Sequence, residues 1–337
     1  MTLQPGTALV TGSAGFIGAA IAQRLLAEGW TVIGLDALDP YYDVALKEAR
    51  QARLAGPRFT PVTGRIEEEG LLERLFADHR PSLVVHLAAQ AGVRHSIKAP
   101  RTYVRSNLVG TFELLEAARA HPPAHMVLAS TSSVYGASED MPYAEGQKAD
   151  HQMSFYAATK KGTENMAHAY AHLYGLPMTM FRFFTVYGPW GRPDMAPYLF
   201  TRAILDGDPI EVFNRGRMRR DFTFIDDLVE SVRRLADAVP ETGRPASDAD
   251  TLSPVAPFRV VNVGGSAPVE LGRFIAAVEA ATGRTAKQVL RPMQPGDVPA
   301  TWADVTLLRD LTGDVPATPV EEGVRRYVEW FRSYYGR

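Results

Sequence analysis

The chain alternates short apolar runs with stretches whose apolar residues recur every three or four positions. The runs "TALVT" (7–11), "TVIGLD" (31–36), "FTPVT" (59–63), "LVVHLAA" (83–89), "MVLAS" (126–130) and "MTMFRFF" (178–184) read as strands. Helical periodicity fills the gaps near 15–28, 42–54, 67–79, 100–120 and 155–174. Strands that are apolar on both faces and separated by helices predict a parallel sheet covered on both sides. The fold class is therefore α/β, a doubly wound parallel sheet of Rossmann type.

Beyond residue 185 the pattern loosens. Helices are expected near 195–206, 226–238, 269–281 and 319–334, with short strands near 210–213, 219–224 and 259–263. "PETGRPASDADTLSPVAP" (240–257) is rich in Pro, Ser and Asp and predicts a surface loop or partly disordered insert. Residues 1–184 are expected to form this doubly wound domain, with the chain returning to it near 226–263. Residues 185–337 then form mainly a smaller α/β C-terminal substrate lobe. In such folds ligands bind outside the carboxyl ends of the strands.

Composition narrows the chemistry. The 337 residues carry a formal net charge of -2, which provides no global attraction to nucleic acid or membrane. There is no cysteine, so disulfides, thiolate catalysis and Cys-ligated zinc are excluded. No apolar run approaches the ~18 residues of a membrane span. "MTLQPGTALVTG" lacks a charged leader and a long apolar core, so no signal peptide is expected and a cytoplasmic location is.

"VTGSAGFIGAA" places Gly12, Gly15 and Gly18 between the first strand and the first helix. Gly12 suits a tight turn, Gly15 a close approach of backbone to a pyrophosphate, and Gly18 helix-on-strand packing. The spacing is GxxGxxG, and a glycine pattern alone is weak evidence. The second strand ends in Asp36, 18 residues after Gly18, near the spacing of an acid that binds the adenosine ribose. A carboxylate there repels a 2′-phosphate, which favours NAD over NADP.

"FYAATKK" puts Tyr156 and Lys160 one helical turn apart. A phenol is a useful base near neutrality only when neighbouring positive charge favours the phenolate. Taken alone, YxxxK is a common accident. Upstream, "STSSVYG" (130–136) ends a strand with the hydroxyls Thr131, Ser132 and Ser133.

On these residues the chain resembles the extended short-chain dehydrogenase/reductases of the nucleotide-sugar branch. "HLAAQAGVRHS" (86–96), "SNLVGTFELLEAA" (106–118), "RFFTVYGPWGRPDM" (182–195), "RRDFTFIDDL" (219–228) and "QPGDVPATWAD" (294–304) extend the likeness over essentially the whole chain. Within that branch it is most similar to the UDP-glucuronate 4-epimerases.

The resemblance implies roles. Tyr156 would act as the base on the sugar 4-hydroxyl, with Thr131 as its hydroxyl partner 25 residues upstream. Lys160 would hold the nicotinamide ribose and depress the tyrosine pKa. Phe16, Ile17, Ile66, Leu87, Ala88 and Ala89 would line the NAD site with the glycines and Asp36. Ser132 and Ser133 would line the sugar. Related decarboxylases carry a glutamate where Ser133 stands, and related 4,6-dehydratases an Asp–Glu pair at 132–133; neither acid is present here. Neutral-sugar 4-epimerases usually carry Asn at the place of Thr185. Thr185 and Arg192 would therefore bind the C5 carboxylate of a UDP-hexuronate, a planar guanidinium fork being suited to it. Arg220 and Arg217 would contact the diphosphate. Asp297, and less directly Gln294, would contact the uridine.

Three further functions stay in view: a UDP-glucuronate decarboxylase, a 4-epimerase of neutral UDP-hexoses, and a non-catalytic NAD sensor. Two features depart from the family. Arg65 stands where an adenine-binding Asp is common, and Trp190–Gly191 replace polar residues before Arg192. His168 and His172 share a helix face without the acid of a metal motif, so they are read as helix surface and no metal is expected. By the same resemblance, the helices near 100–120 and 155–174 form a homodimer interface.

Overall fold

The computed structural model describes residues 3–293, 299–314 and 316–337. The strands are β1 (Thr7–Thr11), β2 (Thr31–Asp36), β3 (Phe59–Thr63), β4 (Leu83–His86), β5 (His125–Ala129), β6 (Met178–Phe183) and β7 (Thr185–Tyr187). They continue with β8 (Pro209–Val212), β9 (Arg219–Phe224), β10 (Phe258–Val263), β11 (Pro268–Glu270), β12 (Lys287–Leu290) and β13 (Ala300–Thr301). Seven of them form one parallel sheet in the order β3-β2-β1-β4-β5-β6-β10. The winding reverses between β1 and β4, and this opens a crevice at their carboxyl ends.

Alternation along β1 explains the two covered faces. Ala8 and Val10 join a core with Ile21 and Leu25 of the helix Phe16–Ala27 and Leu228 and Val232 of the helix Ile225–Asp237. Leu9 points the other way, into a core with Leu72, Leu75 and Phe76 of the helix Leu71–His79 and Ala167 of the helix Phe155–Tyr174. Full burial of each large apolar side chain contributes roughly 1.5–3 kcal/mol. No helix among the described residues is long and apolar enough to cross a membrane.

Several boundaries differ from the expected ones, each for a physical reason. β4 stops at His86, because the Leu87 and Ala88 amides turn to donate to Thr11 Oγ1 at 3.2 Å each. The run at 178–184 forms β6 in the main sheet, and just beyond it, from Thr185, the chain pairs instead with β9. β11 and β13 also flank β9, while β12 pairs with β8. The helical stretch 100–120 contains a π-helical turn at Val104–Val109. The segment 240–257 is a surface loop, mostly exposed over 241–249 and tied to the sheet and a neighbouring helix in its second half. Asp250 pairs with Arg259 at 3.2 Å with both side chains buried. His168 and His172 tie the same segment down through Ser253 Oγ (2.9 Å) and the Val255 carbonyl (2.8 Å).

Candidate active site

The crevice is a cavity of about 1200 Å³ counting its open side. Its wall brings together Gly12, Gly15, Phe16, Ile17, Gly18, Asp36, Ile66, Leu87, Ala88, Ala89, Tyr156, Lys160 and Arg192. Thr131, Ser132, Ser133, Thr185, Arg217 and Arg220 lie outside this wall. Thr185 opens β7, opposite Phe222, and Arg217 is exposed just before β9. Arg220 lies in β9, where its Nη1 donates to the Arg219 carbonyl at 3.0 Å. Asp297 and Gln294 lie outside the described residues.

The glycine turn is set by contact. Gly12 has φ +73°, and its N–H donates to the Leu35 carbonyl at 2.7 Å. A Cβ at Gly12 would meet the Ala88 amide nitrogen at 2.9 Å, and one at Gly18 would overlap the Gly12 carbonyl oxygen. The helix Phe16–Ala27 starts at Gly15 with no side-chain cap and no acid in its first turn. Its leading N–H groups therefore face the cavity as donors. Asp36 accepts from the Ala14 and Leu38 amides at 3.0 and 2.8 Å, which fixes the carboxylate at the turn. Arg65 reaches across to Asp39 at 2.8 Å, at the cavity wall. Ile66 is buried against Gly110.

Thr131 caps the short 3₁₀ turn Ser132–Tyr135, its Oγ1 accepting from the Ser133 amide at 3.2 Å and donating to Ser133 Oγ at 3.3 Å. Ser130, one residue earlier, turns inward and donates to Glu164 at 2.6 Å; the same carboxylate receives two Arg182 nitrogens at 2.8 and 2.7 Å. Ser130 also lines the cavity, whereas Thr131 approaches it through a hydrogen bond to Tyr156.

Burial pushes the Tyr156 phenol up, and the Thr131 hydroxyl and the Arg192 guanidinium pull it back. Lys160 was expected to supply that pull. Burial brings the lysine itself down to about 8, with Glu164 opposing, and the pull on Tyr156 comes from Thr131 and Arg192 instead. No carboxylate among the described residues acts on Tyr156.

Arg192 rests on a loop with unusual support. Trp190, at φ +67°, packs on Trp330, Tyr334 and the Arg53 guanidinium. Its carbonyl receives two nitrogens of the buried Arg50, at 3.0 and 2.6 Å. Arg50 also donates to the carbonyls of Gly191 (3.2 Å) and Ala14 (3.3 Å) and to Tyr42 Oη (2.7 Å). The departure at Trp190–Gly191 therefore provides packing and inward-facing carbonyls. The Arg192 fork itself pairs with Asp194, Nε to Oδ1 at 3.0 Å and Nη2 to Oδ2 at 2.6 Å.

Sequence reasoning missed Arg50, Asp194, Tyr41, Lys47 and the Gln90–Asn107 pair. In that pair the Gln90 amide donates to Asn107 Oδ1 at 2.8 Å, and Asn107 Nδ2 donates to Thr159 at 3.0 Å. Asn107 was within a quoted motif, but the π turn that buries it has no local spacing signal.

Comparison with known proteins adds an independent line. A family model described as the NAD dependent epimerase/dehydratase family matches residues 8–246. A probable UDP-glucuronate 4-epimerase of Rhizobium meliloti (strain 1021) is 55% identical over 333 residues, 98% of each chain. UDP-glucuronate 4-epimerase 1 of Arabidopsis thaliana is 42% identical over 97% of this chain and 77% of its own length. The crystal structure of the UDP-glucuronic acid 4-epimerase from Bacillus cereus, in complex with UDP-glucuronic acid and NAD, matches with a TM-score of 0.87 at 30% identity. It covers 98% of this chain and 100% of that one. A UDP-glucose 4-epimerase from Thermotoga maritima, with UDP-glucose, matches with a TM-score of 0.84 at 29% identity over 98% and 99% of the two chains.

Proposed function

The chain belongs to the NAD dependent epimerase/dehydratase family, and we propose that within it the chain is a UDP-glucuronate 4-epimerase, interconverting UDP-glucuronate and UDP-galacturonate through a 4-keto sugar. Fold similarity does not separate uronate from neutral substrates, since relatives of both kinds match closely. The observation that carries the choice is a guanidinium, Arg192, in the same cavity wall as Tyr156 and Lys160. Beside its Asp194 pair, this guanidinium finds an anionic ligand in a C5 carboxylate and none in a neutral sugar.

The residues present fit a dinucleotide. Uncapped helix N–H groups suit a diphosphate, and the fixed Asp36 carboxylate suits a ribose diol while disfavouring a 2′-phosphate. NAD bound there supplies the acceptor for the sugar C4 hydrogen and its donor on return. Gly12, Gly15, Phe16, Ile17 and Gly18 would hold its diphosphate, and Ile66, Leu87, Ala88 and Ala89 its apolar walls. Residues 1–184, with the later return to the sheet, form the cofactor domain in this reading, and 185–337 mainly the sugar lobe.

In this reading Tyr156 takes the 4-hydroxyl proton and later returns it, with Thr131 holding that hydroxyl in line. Lys160 holds the nicotinamide ribose. Ser132 and Ser133 border the sugar without offering an acid that would support elimination or decarboxylation. Thr185 and Arg192 hold the carboxylate away from the alignment in which a β-keto acid loses CO₂. Arg217, Arg220 and Asp297 serve the nucleotide. The enzyme is proposed to be cytoplasmic and homodimeric. The exposed apolar side chains of Val104, Val109 and Phe112 on one helix, and Phe155 and Leu173 on the other, support the dimer face.

Chromatography of products from UDP-glucuronate tests the reading. UDP-galacturonate is expected, with no net NAD reduction. UDP-xylose or its 4-keto relative as the main product would replace it with a decarboxylase. Turnover confined to UDP-glucose would replace it with a neutral-sugar epimerase.

A further inference from the structure

We infer that Asp194 is a positioning residue that sets uronate recognition, by holding one edge of Arg192 so that the other edge faces the substrate. The inference rests on the reading of Arg192 as the carboxylate contact. A guanidinium has two bidentate edges, one formed by Nε and Nη2 and one by Nη1 and Nη2. Asp194 occupies the first with both oxygens, at 3.0 and 2.6 Å. The Tyr41 hydroxyl, itself on Asp194 Oδ2, is a further hydrogen-bond partner of the Arg192 guanidinium, and the side chain lines the cavity beside Tyr156 and Lys160. The geometry therefore leaves the end-on fork available to a carboxylate entering from the cavity.

Asp194 is itself held from the cofactor side. Tyr41, in the loop after β2, donates to Asp194 Oδ2 at 3.1 Å and packs on His95 at a ring separation of 4.9 Å. The loop backbone beneath is pinned by Arg50. Arg192 is thus fixed at its base by Arg50 and along its side by Asp194 and Tyr41, which leaves its tip as the part offered to a ligand. An arginine without the side clamp would sample many rotamers, and binding a carboxylate would have to order them. The clamp removes that cost in advance. The gain applies only to substrates that use the tip, so it should appear as selectivity rather than as general affinity.

The test compares binding of UDP-glucuronate and UDP-glucose to the NAD-loaded protein and its variants Asp194→Asn, Tyr41→Phe and Arg192→Ala. For Asp194→Asn the expected result is at least a ~10-fold weaker UDP-glucuronate affinity with less than ~2-fold change for UDP-glucose. Such an affinity loss is on the order of one charge-assisted hydrogen-bond pair. Tyr41→Phe should move the same ratio in the same direction by a smaller factor. Equal weakening of both sugars by Asp194→Asn would make Asp194 a loop support and overturn the inference. Tighter UDP-glucuronate binding would make it a competitor and overturn it too. If Arg192→Ala weakens UDP-glucuronate but Asp194→Asn does not, the inference fails while the Arg192 reading stands. If Arg192→Ala leaves UDP-glucuronate unaffected, the underlying reading fails.

Discussion

Arg50 and Trp190, 140 residues apart in the chain, are joined by two hydrogen bonds from one buried guanidinium to one carbonyl. The same side chain reaches the Ala14 carbonyl in the glycine turn. The cofactor turn and the loop bearing Arg192 therefore share one support. Arg50→Met leaves buried carbonyls without donors, at about 1–3 kcal/mol each. The expected result is a loss of roughly 2–5 kcal/mol in urea unfolding, together with a raised KM for UDP-glucuronate. Unchanged stability would show that water or another donor replaces Arg50.

Lys160 costs the fold stability that its function requires. Its folded pKa, about 8, lies below the ordinary 10.5 because burial disfavours the charge. Between those values the unfolded chain holds the extra proton, so this contribution to stability rises with pH across that window. Below about pH 8 the full penalty applies, on the order of 3 kcal/mol. Lys160→Met is predicted to lose activity yet unfold at higher denaturant at pH 7. Its advantage should shrink as pH rises from 8 toward 10.5. Identical pH dependence in the two proteins would rule out a buried charged lysine.

Tyr156 is buried, with its ring edge-on to Tyr103 at 6.1 Å. Tyr156→Phe keeps that packing and removes only the hydroxyl. Steady-state assay should show a kcat loss of at least ~10²-fold, the scale of one general acid–base group. Unfolding free energy should stay within about 1 kcal/mol. A large stability loss would assign the hydroxyl a structural part instead.

Local pattern made much of this legible. Apolar runs separated by helical periodicity located the strands of the main sheet, and the Gly12–Gly18 spacing with Asp36 located one end of the crevice. Tyr156 and Lys160 were visible because one helix carries both. The supports were not visible, because they join segments that no local spacing relates. Arg50 meets Trp190, Tyr41 meets Asp194, and Ser130 meets Glu164 only once the chain has folded. The switch at Thr185 was hidden for a related reason: β7 follows β6 with one residue between them, and apolarity does not say which neighbour a strand will take.

The most direct test of the central claim is the fate of the hydrogen on C4. UDP-glucuronate labelled with deuterium at C4 is incubated with the protein, and the product is read by NMR and mass spectrometry. The account predicts UDP-galacturonate that keeps its carboxylate and keeps the deuterium on C4, because the site removes and returns that hydrogen without an acid or base to divert the intermediate. Deuterium released to water, or a product that has lost CO₂, would contradict it.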